Sequence, residues 1–120
     1  MKNKKVLIVD DDSTTRTLLR DILEPMHYAV LDAENGQKAY ELIQKESIDL
    51  LITDRSMPVL GGLELLQRLR EEKNNMPVLI ISAFGEERLW AEAIGLGAED
   101  YILKPFTSEE VLKVVQKHLS

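Results

Sequence analysis

A doubly wound α/β domain, a parallel sheet covered by helices on both faces, is the fold class that this sequence predicts. Short apolar runs alternate with amphipathic stretches along all 120 residues, the pattern of βα units in series. The runs are continuous rather than alternating in polarity, as strands buried on both faces require. Four of the runs also end on polar residues of different chemical kinds: Asp10-Asp11-Asp12, Asp54, Ser82 and Lys104. Neighbouring parallel strands would bring these groups to one edge, the carboxyl edge where open α/β sheets bind ligands.

Taken in order, Val6 to Val9 is the first strand. Asp12 or Ser13 caps a helix with an apolar stripe of Leu18, Leu19, Ile22 and Leu23, and Pro25 marks its end. Tyr28 to Ala33 is the second strand; Asn35 caps a helix carrying Ala39, Leu42 and Ile43. Ile48 to Thr53 is the third strand and Val78 to Ile81 the fourth, with a helix from Gly62 to Glu72 between them. A fourth helix runs from Glu86 to Ile94 and stops at Gly95-Leu96-Gly97, followed by a short strand from Tyr101 to Leu103. Thr107-Ser108-Glu109-Glu110 has the capping-box pattern and opens a last helix that packs through Val111, Leu112, Val115 and Leu119. Five βα units result, with no repeat, low-complexity tract or linker. The expectation is one complete domain over residues 1–120.

Charge and composition narrow the function. The formal net charge is -6, which disfavours general binding to nucleic acid, because phosphate backbones need a basic patch. Cysteine is absent, which removes disulfides, thiolate metal sites and cysteine nucleophiles and fits a reducing cytoplasm. The basic start Met1-Lys2-Asn3-Lys4-Lys5 is followed by an apolar run too short for a signal peptide or a membrane span. The expectation is a soluble cytoplasmic domain with no membrane contact. His27 and His118 sit in no ligand spacing and read as surface residues, while Met26, Met57 and Met76 read as packing.

The polar strand ends carry the chemistry. Adjacent carboxylates repel, so Asp10-Asp11-Asp12 is either a solvated turn with a capping residue or a cation site. Magnesium takes hard oxygen ligands and usually one or two carboxylates. Asp54 at the end of a neighbouring strand adds a third charge to that locus, and carboxylates are established nucleophiles toward phosphorus. The Ser82 hydroxyl could donate to a phosphoryl oxygen, and Lys104 could pair first with the acids and then with a phosphate. Each residue alone has an ordinary structural explanation; the ordered set of four points to phosphoryl transfer onto aspartate.

These residues resemble the receiver domains of two-component response regulators, including the stand-alone chemotaxis type. The resemblance covers essentially the whole chain. It rests on Val9-Asp10-Asp11, Asp54-Arg55-Ser56-Met57-Pro58, Gly61-Gly62-Leu63, Ser82-Ala83 and Gly97-Ala98-Glu99-Asp100-Tyr101-Ile102-Leu103-Lys104-Pro105-Phe106. It implies a flavodoxin-like (βα)5 fold with strand order 2-1-3-4-5. It also implies that Asp54 is the phosphoacceptor and that Mg2+ is held by Asp10, Asp11, Asp54 and the backbone carbonyl of Ser56. Ser82 is then the switch hydroxyl, Lys104 the phosphate contact, and Tyr101 the switch aromatic that turns inward when Ser82 engages the phosphate. The Lys104-Pro105 bond is expected to be cis. The implied partners are a histidine kinase or histidine phosphotransfer protein as donor and a downstream protein target. The target would meet a face built from the fourth helix, fifth strand and fifth helix, where Trp90 is expected to be exposed and where a homodimer is an open option. Such a domain promotes its own phosphorylation and slow dephosphorylation but is a switch rather than an enzyme. Ser82 stands where Thr is commoner, and Gly61 where many members carry Asp.

Two alternatives remain open at this stage. Asp10-Asp11-Asp12-Ser13-Thr14 also reads D-x-D-x-T after a first strand, the nucleophile motif of haloacid-dehalogenase-type phosphatases. In that reading Asp10 attacks and Asp12 serves as acid/base. The other alternative is a phosphorylation-independent scaffold on the same fold.

Overall fold

A computed structural model of the chain describes residues 3–119. Its elements are β1 (Lys5–Val9), α1 (Ser13–Leu23) followed by a 3-10 turn (Glu24–Met26), β2 (Ala29–Ala33), α2 (Gly36–Lys45) and β3 (Leu50–Asp54). They continue with α3 (Gly62–Glu71), β4 (Val78–Ser82), α4 (Glu87–Gly95), β5 (Asp100–Leu103) and α5 (Ser108–Leu119). All strand pairs are parallel, in the order β2-β1-β3-β4-β5. This is the doubly wound, flavodoxin-like arrangement expected.

The continuous apolar runs split by period two across the sheet. Leu7, Val9, Leu51 and Ile80 face one way, onto Ala39 and Ile43 of α2, Leu65, Leu66 and Leu69 of α3, and Ala93 of α4. Val6, Ile8, Leu50, Ile52, Leu79 and Ile81 face the other way, onto Leu19, Ile22 and Leu23 of α1 and Val111 and Val115 of α5. Each face therefore has its own core, and burial on both sides explains why the runs lack alternation in sequence.

The boundaries shift at several points for local reasons. β3 begins at Leu50 rather than Ile48, because Asp49 closes the approach to the strand: its carboxylate accepts from the Lys5 amide (2.8 Å) and its amide donates to the Lys5 carbonyl (2.9 Å). β3 and β4 extend one residue further than expected, so Asp54 and Ser82 lie within the ladder, Asp54 opposite Ile81 and Ser82 opposite Leu103. β2 starts at Ala29. Pro25 does not stop α1 abruptly; it occupies the first turn of the 3-10 segment, where a missing N–H costs no helical bond. His27, with φ 68°, ends that turn. Met26 is exposed rather than packed, whereas Met57 and Met76 do pack on the first core.

Cap chemistry follows the sequence at most helix starts. Asp12 is the N-cap of α1 and Asn35 that of α2. At α5 the Thr107 hydroxyl accepts from the Glu110 amide (3.1 Å) and donates to the Glu110 carboxylate (3.1 Å), a variant of the expected capping box. Gly97, with φ 108°, follows the end of α4 as the helix stop. Among the described residues, no helix is long and apolar enough to cross a membrane.

Candidate functional site

In the order 2-1-3 the sheet reverses direction between β1 and β3, and the carboxyl ends of those strands open onto a crevice. Asp10 follows β1 directly, and Asp54 is the last residue of β3. Carboxylate oxygens of Asp10, Asp11 and Asp54 all lie within 4.8 Å of one another. Asp10 is fully buried and satisfied: one oxygen accepts from the Asp12 amide (2.9 Å), the other from Lys104 Nζ (3.0 Å). The same ammonium stands 3.7 Å from Asp54 Oδ1. The Lys104-Pro105 bond is cis, as expected. Three of the four sequence signals therefore meet directly, two acids from neighbouring strands sharing one lysine from a third.

Electrostatics mark Asp54 as the unusual member. Desolvation chiefly, then the negative charges of Asp10 and Asp11, push its pKa up to about 6 against the pull of Lys104 and the Arg55 amide. That amide donates to Asp54 Oδ1 (3.0 Å). Burial alone would pull the Lys104 ammonium down. The hydrogen bond it donates to Asp10 and the charges of Asp54, Asp10 and Asp12 outweigh burial, so Lys104 is held above its ordinary value and stays protonated.

The donor set fits a hard dication. Three carboxylates face one ammonium, an excess of negative charge that raises Asp54 and that a divalent cation offsets. One acid is buried, one half-buried and one exposed, so a path for a hydrated ion is open. Ser56 lies on the exposed loop two residues past Asp54, and its carbonyl accepts no hydrogen bond among the described residues. Asp12 is outside this cluster. Its carboxylate accepts from the Thr14 amide (3.1 Å) and the Thr15 hydroxyl (3.0 Å) at the start of α1, and these bonds hold its pKa below the ordinary value. A residue committed to a helix cap in this way is not poised as an acid/base, which removes the support for the D-x-D-x-T reading.

Ser82 and Tyr101 are linked through Phe84. Ser82 Oγ accepts from the Phe84 amide (3.0 Å), and the Tyr101 hydroxyl donates to the Phe84 carbonyl (2.8 Å). Tyr101 is 5% exposed and already inward. The expectation tied that placement to Ser82 moving onto a phosphate. Here the hydroxyl has its partner and the ring stacks on Trp90, centroids 5.8 Å apart. Trp90 nevertheless keeps 43% of its surface exposed, as expected. His118 is not a surface residue: it is half-buried, with Nε2 3.5 Å from Asp100 Oδ2.

Sequence reading missed several contributors. Arg16 donates to the Asp10 carbonyl (2.6 Å) and steadies the acidic turn. Thr53 donates to the Asp54 carbonyl (3.0 Å), and Gly62 comes so close that a Cβ there would lie 2.0 Å from that oxygen. Gly36 likewise abuts the Leu60 carbonyl of the loop after β3. The Asp12–Thr15 bond could have been found from its D-x-x-T spacing. The others are contacts between distant segments and leave no local mark.

Comparison with known proteins agrees with this geometry. The model of the response regulator receiver domain matches residues 6–116. Sporulation initiation phosphotransferase F of Bacillus subtilis is 36% identical over 119 residues, spanning 99% of this chain and 96% of its own length. The alkaline phosphatase synthesis transcriptional regulatory protein PhoP of the same organism is 39% identical over 109 residues, 91% of this chain but only 45% of the relative. Among solved structures, the receiver domain of Francisella response regulator 1452 superposes with a TM-score of 0.94 at 32% identity, covering 98% of this chain and 97% of that one. The chemotaxis protein CheY4 of Vibrio cholerae gives 0.91 at 31%, covering 98% and 99%. The chain belongs to the response regulator receiver family of two-component systems. Receiver domains are regulatory switches, so the family excludes the haloacid-dehalogenase-type phosphatase as this chain's class.

Proposed function

We propose that residues 1–120 form one receiver domain that takes a phosphoryl group on Asp54, from a histidine kinase or histidine phosphotransfer protein, and changes its affinity for a downstream protein. One observation carries this reading. The Asp54 carboxylate sits at the carboxyl edge of the sheet, 15% exposed, facing Asp10 and Asp11, with Lys104 3.7 Å away. In the transfer, the N–P bond of the donor phosphohistidine breaks, an Asp54 Oδ–P bond forms, and the imidazole leaves. Lys104, 3.7 Å from Asp54, would follow the negative charge from carboxylate to phosphoryl oxygens, and the Ser82 hydroxyl would donate to one of them. Mg2+, held by Asp10, Asp11, Asp54 and the Ser56 carbonyl, would neutralise the acids and polarise the phosphoryl group.

Tyr101 and Trp90 connect these changes to the face of α4, β5 and α5, where a groove of about 380 Å³ is lined by Trp90, Tyr101, Leu103, Lys113, Val114 and Lys117. That groove supports a protein target there, or a homodimer, in preference to nucleic acid or membrane. A cytoplasmic setting is part of the same reading, as is autocatalysis limited to self-phosphorylation and slow hydrolysis.

The test is intact-mass measurement after incubation with magnesium and acetyl phosphate, in the wild type, Asp54→Asn and Asp10→Asn. A base-labile gain of one phosphoryl group, mapped to Asp54 and missing from Asp54→Asn, is expected. No gain from acetyl phosphate or from a phosphohistidine donor, with magnesium binding demonstrated, would favour the scaffold reading instead.

A further inference from the structure

The Arg55 side chain ties the loop after β3 to α4. The Arg55 amide donates to Asp54 Oδ1 (3.0 Å) and to the Ile81 carbonyl (2.9 Å). Its guanidinium points the other way, across to α4. There it donates to the Leu89 carbonyl (3.0 Å) and forms an ion pair with Glu92. The Arg55 side chain is 11% exposed, so its bond to the Leu89 carbonyl lies partly out of water, whereas Glu92 keeps 54% of its side chain in solvent.

Little else holds α4. Ala93 is its only buried residue, and Trp90 and Ile94 are each 43% exposed. An element with so few buried apolar contacts belongs to the easily opened end of a structure. Two tethers supply most of the rest: the Trp90–Tyr101 stack and the Arg55 bonds. The first reaches the site through Phe84 and Ser82. The second starts on the amide that hydrogen-bonds Asp54 itself.

We infer that Arg55 is a positioning residue that couples the charge on Asp54 to the placement of α4, its amide contacting the carboxylate and its guanidinium gripping the helix. This rests on the proposed function only for the identity of the group that changes Asp54; the coupling itself follows from the contacts. It is reciprocal in free energy: a partner whose affinity for α4 changes when Asp54 is modified favours the modified state by the same factor.

Amide hydrogen exchange of residues 87–95 tests this in a double-mutant cycle. In the wild-type background Asp54 is changed in two ways: by substitution to Asn, and by phosphorylation with acetyl phosphate and magnesium, with uptake checked by intact mass. Both are expected to alter α4 exchange. Arg55→Met is expected to speed that exchange about ten-fold, the loss of one net charge-assisted bond, and to abolish the response to either change at Asp54. Glu92→Gln, on the exposed end of the pair, keeps the fold secure and is expected to weaken the response; Arg55→Lys is expected to restore part of it. A purely structural arginine would speed exchange without removing the response. No α4 response in the wild type, or the same response with and without the Arg55 side chain, overturns the coupling. No phosphoryl uptake, together with a response to Asp54→Asn that needs Arg55, would sink the phosphorylation reading and leave the coupling standing.

Discussion

Desolvation and the neighbouring Asp10 carboxylate push Asp54 up to about 6, above the ordinary 3.8 that it regains on unfolding. A carboxyl group raised by folding binds its proton more tightly in the native state. Its contribution to stability is therefore full below about pH 4 and is lost as pH rises through about 6. At pH 7.5 without metal, the Asp54 charge costs the fold on the order of 1 kcal/mol, discounted for its partial contact with solvent. Asp54→Asn should accordingly raise the urea midpoint in EDTA at pH 7.5, and the gain should shrink steadily as pH is lowered through 6 toward 4. A constant gain across that range would remove the electrostatic explanation. Val59 offers a second case. It is a β-branched residue at φ 72° with 80% of its surface exposed, a strained conformation with no packing to offset it. Val59→Asn should stabilise the domain by about 1 kcal/mol, read from the denaturant midpoint at unchanged slope. Legibility differs sharply between these residues. Asp10, Asp54, Ser82 and Lys104 announce themselves by ending apolar runs. The backbone strain at Val59 and the half-buried His118 depend on how distant segments meet, and nothing in their neighbours' identity signals them.

Elements meet most tightly where the loop after β3 passes the start of α3. Gly62 donates to the Arg55 carbonyl (2.9 Å), and an added Cβ would lie 2.0 Å from the Asp54 carbonyl oxygen. The two nearest atoms belong to the Asp54 backbone, which cannot swing aside as a side chain would, so Gly62→Ala should destabilise by about 2–3 kcal/mol in chemical denaturation. It should also slow phosphorylation by acetyl phosphate, because Asp54, the proposed acceptor, must itself shift. At the opposite end of the sheet, Arg70 ties α3 to two turns. It donates to the carbonyls of Asn74 (2.8 Å), Met76 (2.9 Å) and Gly97 (2.8 Å), and pairs with Glu99 (3.1 Å). Arg70→Met leaves three carbonyls without that donor and should cost about 2–3 kcal/mol, with faster hydrogen exchange around Met76 and Gly97. Unlike the Arg55 variants, it should leave the coupling of Asp54 to α4 intact. At this scale the sequence conveyed which elements exist and roughly where each begins, since caps and periodicity are local. It placed the start of β3 two residues early because Asp49 closes that approach through bonds to Lys5, a contact 44 residues away in sequence.

Across the whole molecule, fold and site were legible for one shared reason. Strands buried on both faces demand apolar runs, so the polar residues at the ends of β1, β3, β4 and β5 are thrown to the rim, and parallel pairing sends all of those rims to the same edge. The acids of β1 and β3 become neighbours because those strands pair directly, with Val9 opposite Thr53. Local sequence conveys the residues; only the strand order conveys that they meet. The concentration of negative charge there is a liability for the metal-free domain and an asset once a dication binds, so magnesium should act on the stability of the entire fold. With free Mg2+ at about 100 times its dissociation constant, the native state gains about 2.7 kcal/mol, which should lift the thermal midpoint by roughly 10 °C for a domain of this size. Asp11 supplies the clean control, since it is exposed and its substitution disturbs no packing. Asp11→Asn should leave the midpoint in EDTA nearly unchanged and remove most of the magnesium-induced rise. An undiminished rise in that variant would place the ion away from the crevice between β1 and β3. A rise lost in Asp11→Asn and reduced in Asp54→Asn would tie metal, acceptor and fold stability to the same few oxygens.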